Sequence, residues 1–456
     1  MSVSLRCRLS SIAVALTIAG PLAAAWPYQR SLSPVDVATG TNGLGFGKAV
    51  AADIRADGRI RALYVGAPNA KVTAAGADHP GAGKVYVLTP IGGWHVVATL
   101  TAPNPQDGAH FGAAVAVHEG VVAIGAPDYD YPGGHVDSGA MHVFQDMTRD
   151  APGDALPVLQ SYAPGYRVSQ QDGTHFATSV AVGGSTLANG AWIASGTPDE
   201  YDGDGCVRID YHEGSTHTYG GAACGSGGSG GKLGASLALY SASQTFYVLI
   251  AGAPAIAQGA QSLAGEAYVY VPINGVITKL DTLKAQNPGF LDAFGGSVAL
   301  DETHIYVGGP GRVKSGVGRT GSVSVFVSTG IIGYGFDTEV FPGNAAAGDL
   351  CGASLSARRE ADGVLAMGCP GWDGLVDNEG RVLVLQEFDF MGTTVWSQDR
   401  LDMADVPHGA DDLGRGVALV GDHVYAGAPN HDDAVGMNNG IVRVFAPDRI
   451  FEDGFD

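Results

Sequence analysis

Beyond its first residues, the 456-residue chain has no apolar run approaching the about 18 residues of a membrane-spanning helix, so no membrane span is expected. Basic residues are scarce: Lys and Arg total 25 against 46 Asp and Glu, a formal net charge of −21. Such a surface repels nucleic acid and anionic lipid head groups; it favours cations or basic partners, or serves solubility alone. No two cysteines are spaced Cys-x-x-Cys, which argues against a zinc site. Catalytic signatures are missing too. His212 and His217 stand five apart with Gly between them, not the i, i+4 spacing of a helical zinc motif. The glycine-rich run from Gly225 ends in Lys232-Leu233, without the Ser or Thr of a phosphate loop. Ser297 and Ser354 lie on short strands and not in nucleophile elbows. With no nucleophile–base constellation in view, a binding protein is expected rather than an enzyme.

Glycine, by contrast, is abundant at 70 residues, and it is ordered in a repeat. Seven times an apolar residue and a small one open a short strand, at Phe46-Gly47, Phe111-Gly112, Phe176-Ala177, Leu233-Gly234, Phe294-Gly295, Cys351-Gly352 and Leu413-Gly414. A turn and a second strand follow, ending in Gly-small-Pro: Pro68, Pro127, Pro198, Pro254, Pro310, Pro370 and Pro429 close these triplets. Successive starts are 57 to 65 residues apart, and a fixed period of this kind marks a repeat architecture. A Gly-led alternating strand comes next, as in Gly83-Lys-Val-Tyr-Val and Gly440-Ile-Val-Arg-Val-Phe, blurred at Gly205-Cys-Val-Arg-Ile-Asp. A fourth stretch such as 94–101 or 277–285 completes the unit. Four short strands per repeat are the content of one propeller blade.

These landmarks resemble the FG-GAP repeat of integrin α-subunit head domains, and more closely the secreted bacterial FG-GAP proteins with short turns. The stretch from Gly83 to Val117 reads like one such unit throughout. The resemblance covers nearly all of the chain after its leader and implies an all-β, seven-bladed β-propeller of four-stranded blades. A buried Phe at a blade start would contribute about 1.5–3 kcal/mol. Pro at the end of a second strand cannot donate to a ladder and stops the pairing there.

Repeat 7 has three strands, 413–420, 423–428 and 440–446, and no fourth. Arg30-Ser-Leu-Ser-Pro34 before Phe46 mirrors Ala98-Thr-Leu-Thr-Ala102 before Phe111, so residues 28–38 are expected to complete the last blade. Such a clasp satisfies an otherwise exposed strand edge. Residues 1–25 read as a secretory signal peptide: Arg6 and Arg8, an apolar run from Leu9 to Ile18, then Ala23-Ala24-Ala25. The propeller is expected over 26–447 and a short acidic aromatic tail over 448–456. That tail resembles C-terminal tails of exported proteins in some Gram-negative bacteria. Removing Arg6 and Arg8 with the leader takes the charge from −21 to −23. The mature chain is expected to be a soluble monomer, secreted, periplasmic or at the cell surface.

Cleavage leaves four cysteines, an even number in an oxidising compartment. The start of a first strand faces the end of the second across a hairpin, which pairs Cys351 with Cys369; by elimination Cys206 pairs with Cys224. Each bridge closes a loop of about 18 residues, worth roughly 3 kcal/mol.

Integrin-type repeats hold calcium in the turn between the first two strands. Only repeat 1 keeps that outline, from Asp53 through Asp57 to Arg61, and Arg55 and Arg61 occupy two ligand positions, so calcium is not expected there. Acidic residues collect instead after Gly-small-Pro. Asp199, Asp202 and Asp204, with Glu200, form one candidate calcium site; Asp128, Asp130 and Asp137 form another; Asp373, Asp377, Asp432 and Asp433 extend the rim. Asp is also a common turn former, which accounts for the same residues without a metal. Asp292, Asp349 and Asp411 each stand two residues before a blade start, where a structural role is expected. Three functions stay open: an exported scaffold contacting a protein or glycan, as in adhesion; a hydrolase or lyase in the central funnel; and a lectin. Trp94, Trp192, Trp372 and Trp396 are not equivalent by repeat position, which counts against the lectin.

Overall fold

The computed structural model describes residues 28–34, 43–55, 58–131, 133–148, 155–166, 171–184, 190–213, 216–225, 230–243, 245–329, 333–359, 363–390, 393–402, 409–432 and 437–446. The signal-peptide segment, the C-terminal tail, Asp57 and Asp433 lie outside them. Seven four-stranded antiparallel sheets make up the chain, with one small two-stranded ribbon, Val72–Ala74 with Ala77–His79, and one short helical turn, Glu200–Gly203. Blade 1 takes Val50–Ile54, Ile60–Ala67, Lys84–Thr89 and His95–Leu100 in that order. Blades 2 to 6 repeat the pattern, their first strands being Ala114–His118, Ser179–Gly184, Ser236–Ser243, Ser297–Leu300 and Ser354–Ala357. Blade 7 is built from Gly416–Val420, His423–Ala428 and Ile441–Phe445, and its outer strand is Tyr28–Leu32 from the other end of the chain. Leu32 stands opposite Val442 and Tyr28 opposite Phe445. The expected clasp is therefore present over residues 28–32; residues 35–38 lie outside the described chain.

First strands neighbour one another around the ring, including the first strands of blades 1 and 7. The core consists of wedges between blades. Tyr64, Val87, Phe111, Ile124 and Phe144 fill one between blades 1 and 2, and Phe46, Leu63, Tyr86, Tyr425 and Val442 fill the closing one. All seven blade-start apolar residues are buried.

The repeat's glycines explain how neighbouring blades touch. The Gly of each Gly-small-Pro has no room for a side chain: a Cβ on Gly66 would lie 2.0 Å from the Gly112 carbonyl oxygen of the next blade, and one on Gly427 would lie 2.0 Å from that of Gly47, across the ring closure. The blade-start N–H then bonds back to the preceding blade, Phe111 to Ala82 O at 3.0 Å and Phe46 to Asn439 O at 3.1 Å. Ser297 and Ser354 donate to the next blade's Gly352 and Gly414 carbonyls at 2.6 Å, a structural use in keeping with their place on strands.

Both disulfides form as expected. Cys206 and Cys224 face each other on the third and fourth strands of blade 3, and Cys351 joins the start of blade 6 to Cys369 at the end of its second strand. No helix among the described residues is long and apolar enough to cross a membrane.

Candidate functional site

Seven equivalent copies show which positions the fold itself requires. The residue before each blade start is left-handed in every blade: Gly45, His110, His175, Lys232, Ala293, Leu350 and Asp412. Two other positions come close to it in space. One is the second residue after the blade start (Lys48, Ala113, Thr178, Ala235, Gly296, Ala353, Arg415); the other follows Gly-small-Pro (Asn69, Asp128, Asp199, Ala255, Gly311, Gly371, Asn430). Members of all three sets from blades 7, 1 and 2 line a single cavity. In blades 5 and 6 all three positions are small or apolar. In blades 7, 1, 2, 3 and 4 they carry polar side chains, so the repeat is broken along one crescent of the channel mouth.

In blades 2 to 4 the crescent is a ladder in which carboxylates alternate with nitrogen-bearing side chains. His110 Nδ1 meets Asp128 Oδ2 at 2.5 Å, and the other Asp128 oxygen lies 3.4 Å from His175 Nε2. His175 Nδ1 meets Asp199 Oδ2 at 2.9 Å, and the second Asp199 oxygen accepts from Lys232 Nζ. Each carboxylate thus joins two blades. In blades 7, 1 and 2 the crescent encloses a cavity of about 280 Å³ containing Lys48, Arg415, Asp412, Asn69, Asn430, His110 and Asp128. Asp412 Oδ2 accepts from Asn430 Nδ2 at 3.1 Å. Among the described residues, the side chains of Lys48 and Arg415 have no hydrogen-bonded or ion-pair partner. Desolvation in the crowded mouth, and then the Arg415 charge, push the Lys48 amine below its ordinary value against the pull of Asp412. Burial pushes the Asp412 carboxyl up, while Arg415 and Lys48 hold it back.

The same face carries the loops after Gly-small-Pro. Their tips expose large apolar side chains in six blades: Val136, Tyr201, Leu263, Val313, Leu375 and Met437, with Leu375 87% exposed. Cross-blade hydrogen bonds fix these loops: Gly173 N to Val136 O at 2.9 Å, Leu291 N to Ser262 O at 3.2 Å, Gly348 N to Gly318 O at 3.2 Å and Gly43 N to Met437 O at 2.9 Å. The face is therefore a stitched rim of apolar tips around a polar crescent.

The aspartates proposed from sequence fall into separate roles. Asp128 and Asp199 belong to the ladder. Asp204 is buried and accepts from Gly230 N at 2.8 Å, while Asp202 is exposed on the helical turn with φ +57°. Asp130 accepts from Asp137 N at 2.9 Å, Asp373 from Asn378 N at 2.7 Å and Asp432 from Asn438 N at 2.8 Å. The acceptors' partners Asp137, Asn378 and Asn438 are all left-handed, so these three aspartates close loops of one design. Among the described residues no group of three or more His, Cys, Asp or Glu is arranged to hold a metal. In the turn of repeat 1, Arg61 is buried and pairs with Asp146 at 2.6 Å. Asp292 and Asp349 accept from the Gly289 and Ala346 N–H groups at 2.5 and 2.7 Å, and Asp411 lies 3.1 Å from His431, the structural role expected of them.

The channel itself has a volume of about 1210 Å³ and is walled by the first strands of all seven blades, chiefly Ala, Val and Leu. At its other mouth Arg359 of blade 6 reaches across to His118 of blade 2. Trp372 and Trp396, though not equivalent in the repeat, meet in a cavity of about 250 Å³ between blades 5 and 6. Two of its polar side chains are engaged elsewhere: Arg381 pairs with Asp402 and lies 3.4 Å from the Trp372 ring centre, and Gln398 bonds Gly343 N and Phe341 O.

Residues 94–144, from the fourth strand of blade 1 to the third strand of blade 2, match the FG-GAP repeat family model. No curated protein matches the chain. Among solved structures it is similar to a periplasmic gluconolactonase of Pseudomonas aeruginosa, with 14% identity and a TM-score of 0.45 over 79% of this chain and 86% of that one.

Proposed function

We propose that this seven-bladed β-propeller carrying an FG-GAP repeat is an exported binding scaffold that docks a basic protein partner on the face of its Gly-small-Pro loops. One observation carries the reading: large apolar side chains stand exposed at the loop tips of six blades, on backbone already fixed by bonds between blades. Apolar tips on a pre-ordered frame lower the entropy lost on association. The aspartates of the same loops, within a chain of net charge −21, select a partner of opposite sign. Two disulfides suit an oxidising compartment. The mature protein, immobilised, would be offered the basic proteins exported by the same cells. Retention should fall when Tyr201, Leu375 and Met437 are all replaced by Ser, and should survive Phe246→Ser on the opposite face. Equal retention by both variants would sink the proposal.

A second reading, a hydrolase or lyase acting in the funnel, draws support from the crescent, where Lys48 and Asp412 are both displaced toward neutrality. It requires turnover that disappears in Lys48→Met and in His110→Gln while the apolar-tip variant keeps it.

A further inference from the structure

We propose that the cavity between blades 7, 1 and 2 is a binding site for a small monocarboxylate, its carboxylate held between Lys48 and Arg415. The position these two share is Ala, Thr or Gly in the other five blades, so the fold has no need of a cation there. They stand in adjacent blades, line one cavity of about 280 Å³, and among the described residues have no hydrogen-bonded or ion-pair side-chain partner, Asp412 acting on them only through its charge. In a chain with nearly twice as many acidic as basic residues, two cations that among the described residues make no side-chain hydrogen bond are where an anion would be drawn. The other polar groups limit the ligand's charge. Asp412 lies beside the two cations and offsets one of their charges, while Asp128 is engaged by His110 and His175, so a monoanion suits the remaining charge better than a dianion such as phosphate. Asp412 and the Asn69 and Asn430 amides offer acceptors and donors to hydroxyl or amino groups beside the carboxylate, which makes hydroxy acids and amino acids the fitting classes. His110, bonded through Nδ1 to Asp128, lines the same cavity. Burial first and then the Arg415 charge lower the Lys48 amine, against the pull of Asp412.

The inference does not rest on the docking reading, since its probes are small molecules and its residues are different ones. Two measurements on the mature protein test it. The first is calorimetric titration with lactate, alanine, acetate and inorganic phosphate at matched ionic strength. The second is the rate at which an amine-acylating reagent labels Lys48, followed by peptide mass spectrometry with and without each probe. Lactate or alanine should bind more tightly than acetate and phosphate and should slow Lys48 labelling. Arg415→Gln should weaken that binding by roughly tenfold or more, the cost of one charge-assisted hydrogen bond, without lowering the melting temperature. A preference for lactate over alanine assigns hydroxy acids, and the reverse assigns amino acids. Phosphate binding best, binding unchanged in Arg415→Gln, or no carboxylate slowing Lys48 labelling would each overturn the proposal.

Discussion

Arg443 donates to the Tyr28 hydroxyl at 3.3 Å across 415 positions of sequence, and its guanidinium lies 5.3 Å from the Tyr28 ring centre. Arg443 also bonds Ser31, and it is fully buried. The contact fastens the first described strand of the chain to the last, so the propeller closes by side-chain chemistry as well as by the ladder from Tyr28 to Leu32. Deleting residues 28–32 should leave the Ile441–Phe445 edge open. Melting temperature is then expected to fall, and size-exclusion chromatography should show association through that edge. An unchanged monomer of unchanged stability would refute the clasp.

Close approach between blades makes a second prediction. A Cβ on Gly252 would sit 1.9 Å from the Gly295 carbonyl oxygen, and a backbone carbonyl in a closed ring cannot move aside. Gly252→Ala should cost about 3 kcal/mol or more, the upper end of overpacking. Gly318→Ala is the control, because nothing lies within 4 Å of its Cβ; it should leave stability within about 0.5 kcal/mol. Chemical denaturation of the two variants measures the contrast.

Blade 5 contains a buried charge cluster. Arg312 donates to both Glu339 oxygens at 2.7 and 2.8 Å and to Asp292 at 2.6 Å. Arg312→Ala leaves the buried Asp292 and the part-buried Glu339 without their cation and should destabilise the protein by about 3 kcal/mol. A loss under 1 kcal/mol in equilibrium unfolding would show that water reaches the site.

His304 makes stability depend on pH. Burial alone would lower its pKa, but the Asp301 hydrogen bond and the charges of Asp301, Glu387 and Asp337 outweigh it, and the net direction is up from 6.5. Its Nε2 reaches Glu387 of blade 6 at 3.1 Å, and its ring packs near Tyr306 and Trp396. A raised folded value means that the contribution is fully present below 6.5 and is lost as pH rises through the folded value. Asp301 works in the other direction. Burial raises it, bonds from His304, Thr303 and Tyr306 prevail, and its contribution above the ordinary 3.8 is lost as pH falls through the lowered value. The melting-temperature difference between the protein and His304→Gln should therefore be largest between about pH 4 and 6.5 and shrink in alkali. A difference that grows with pH would contradict the assignment.

The disulfides are a graded test of the same frame. Replacing Cys206 and Cys224 by Ser should cost roughly 3 kcal/mol, the loop-entropy value for the 18-residue separation. The measurement is denaturant unfolding under non-reducing conditions, with no effect expected from added reductant in a variant lacking both bridges.

The fold was legible because sterics wrote it into the repeat. Gly66 and Gly112 are glycines where two backbones touch, Phe111 fills the wedge beside them, and Pro68 ends a strand. Such requirements recur wherever the geometry recurs, and Cys351 in place of Phe could be read as a disulfide for the same reason. The site was harder to read because it consists of departures from the repeat. His110 and His175 echo each other in sequence, but their link through Asp128 joins two blades and has no local spacing. Asp128 and Asp199 drew notice as metal candidates, whereas the structure gives them histidine and lysine partners. Lys48 and Arg415 went unnoticed as single basic residues. Lining up the second position after each blade start would have shown that only these two are charged.

Two methionines allow the most direct test of the docking face. Met437 lies on the Gly-small-Pro face and Met147 on the opposite one, with similar exposures of 59% and 52%. Hydroxyl-radical footprinting of the mature protein, alone and with the basic exported proteins it retains, would read both in one spectrum. Protection of Met437, Tyr201 and Leu375 with Met147 still oxidised is the expected result. Protection of Met147 and Phe246 instead, or equal oxidation at both methionines with the retained proteins present, would contradict the assignment of that face.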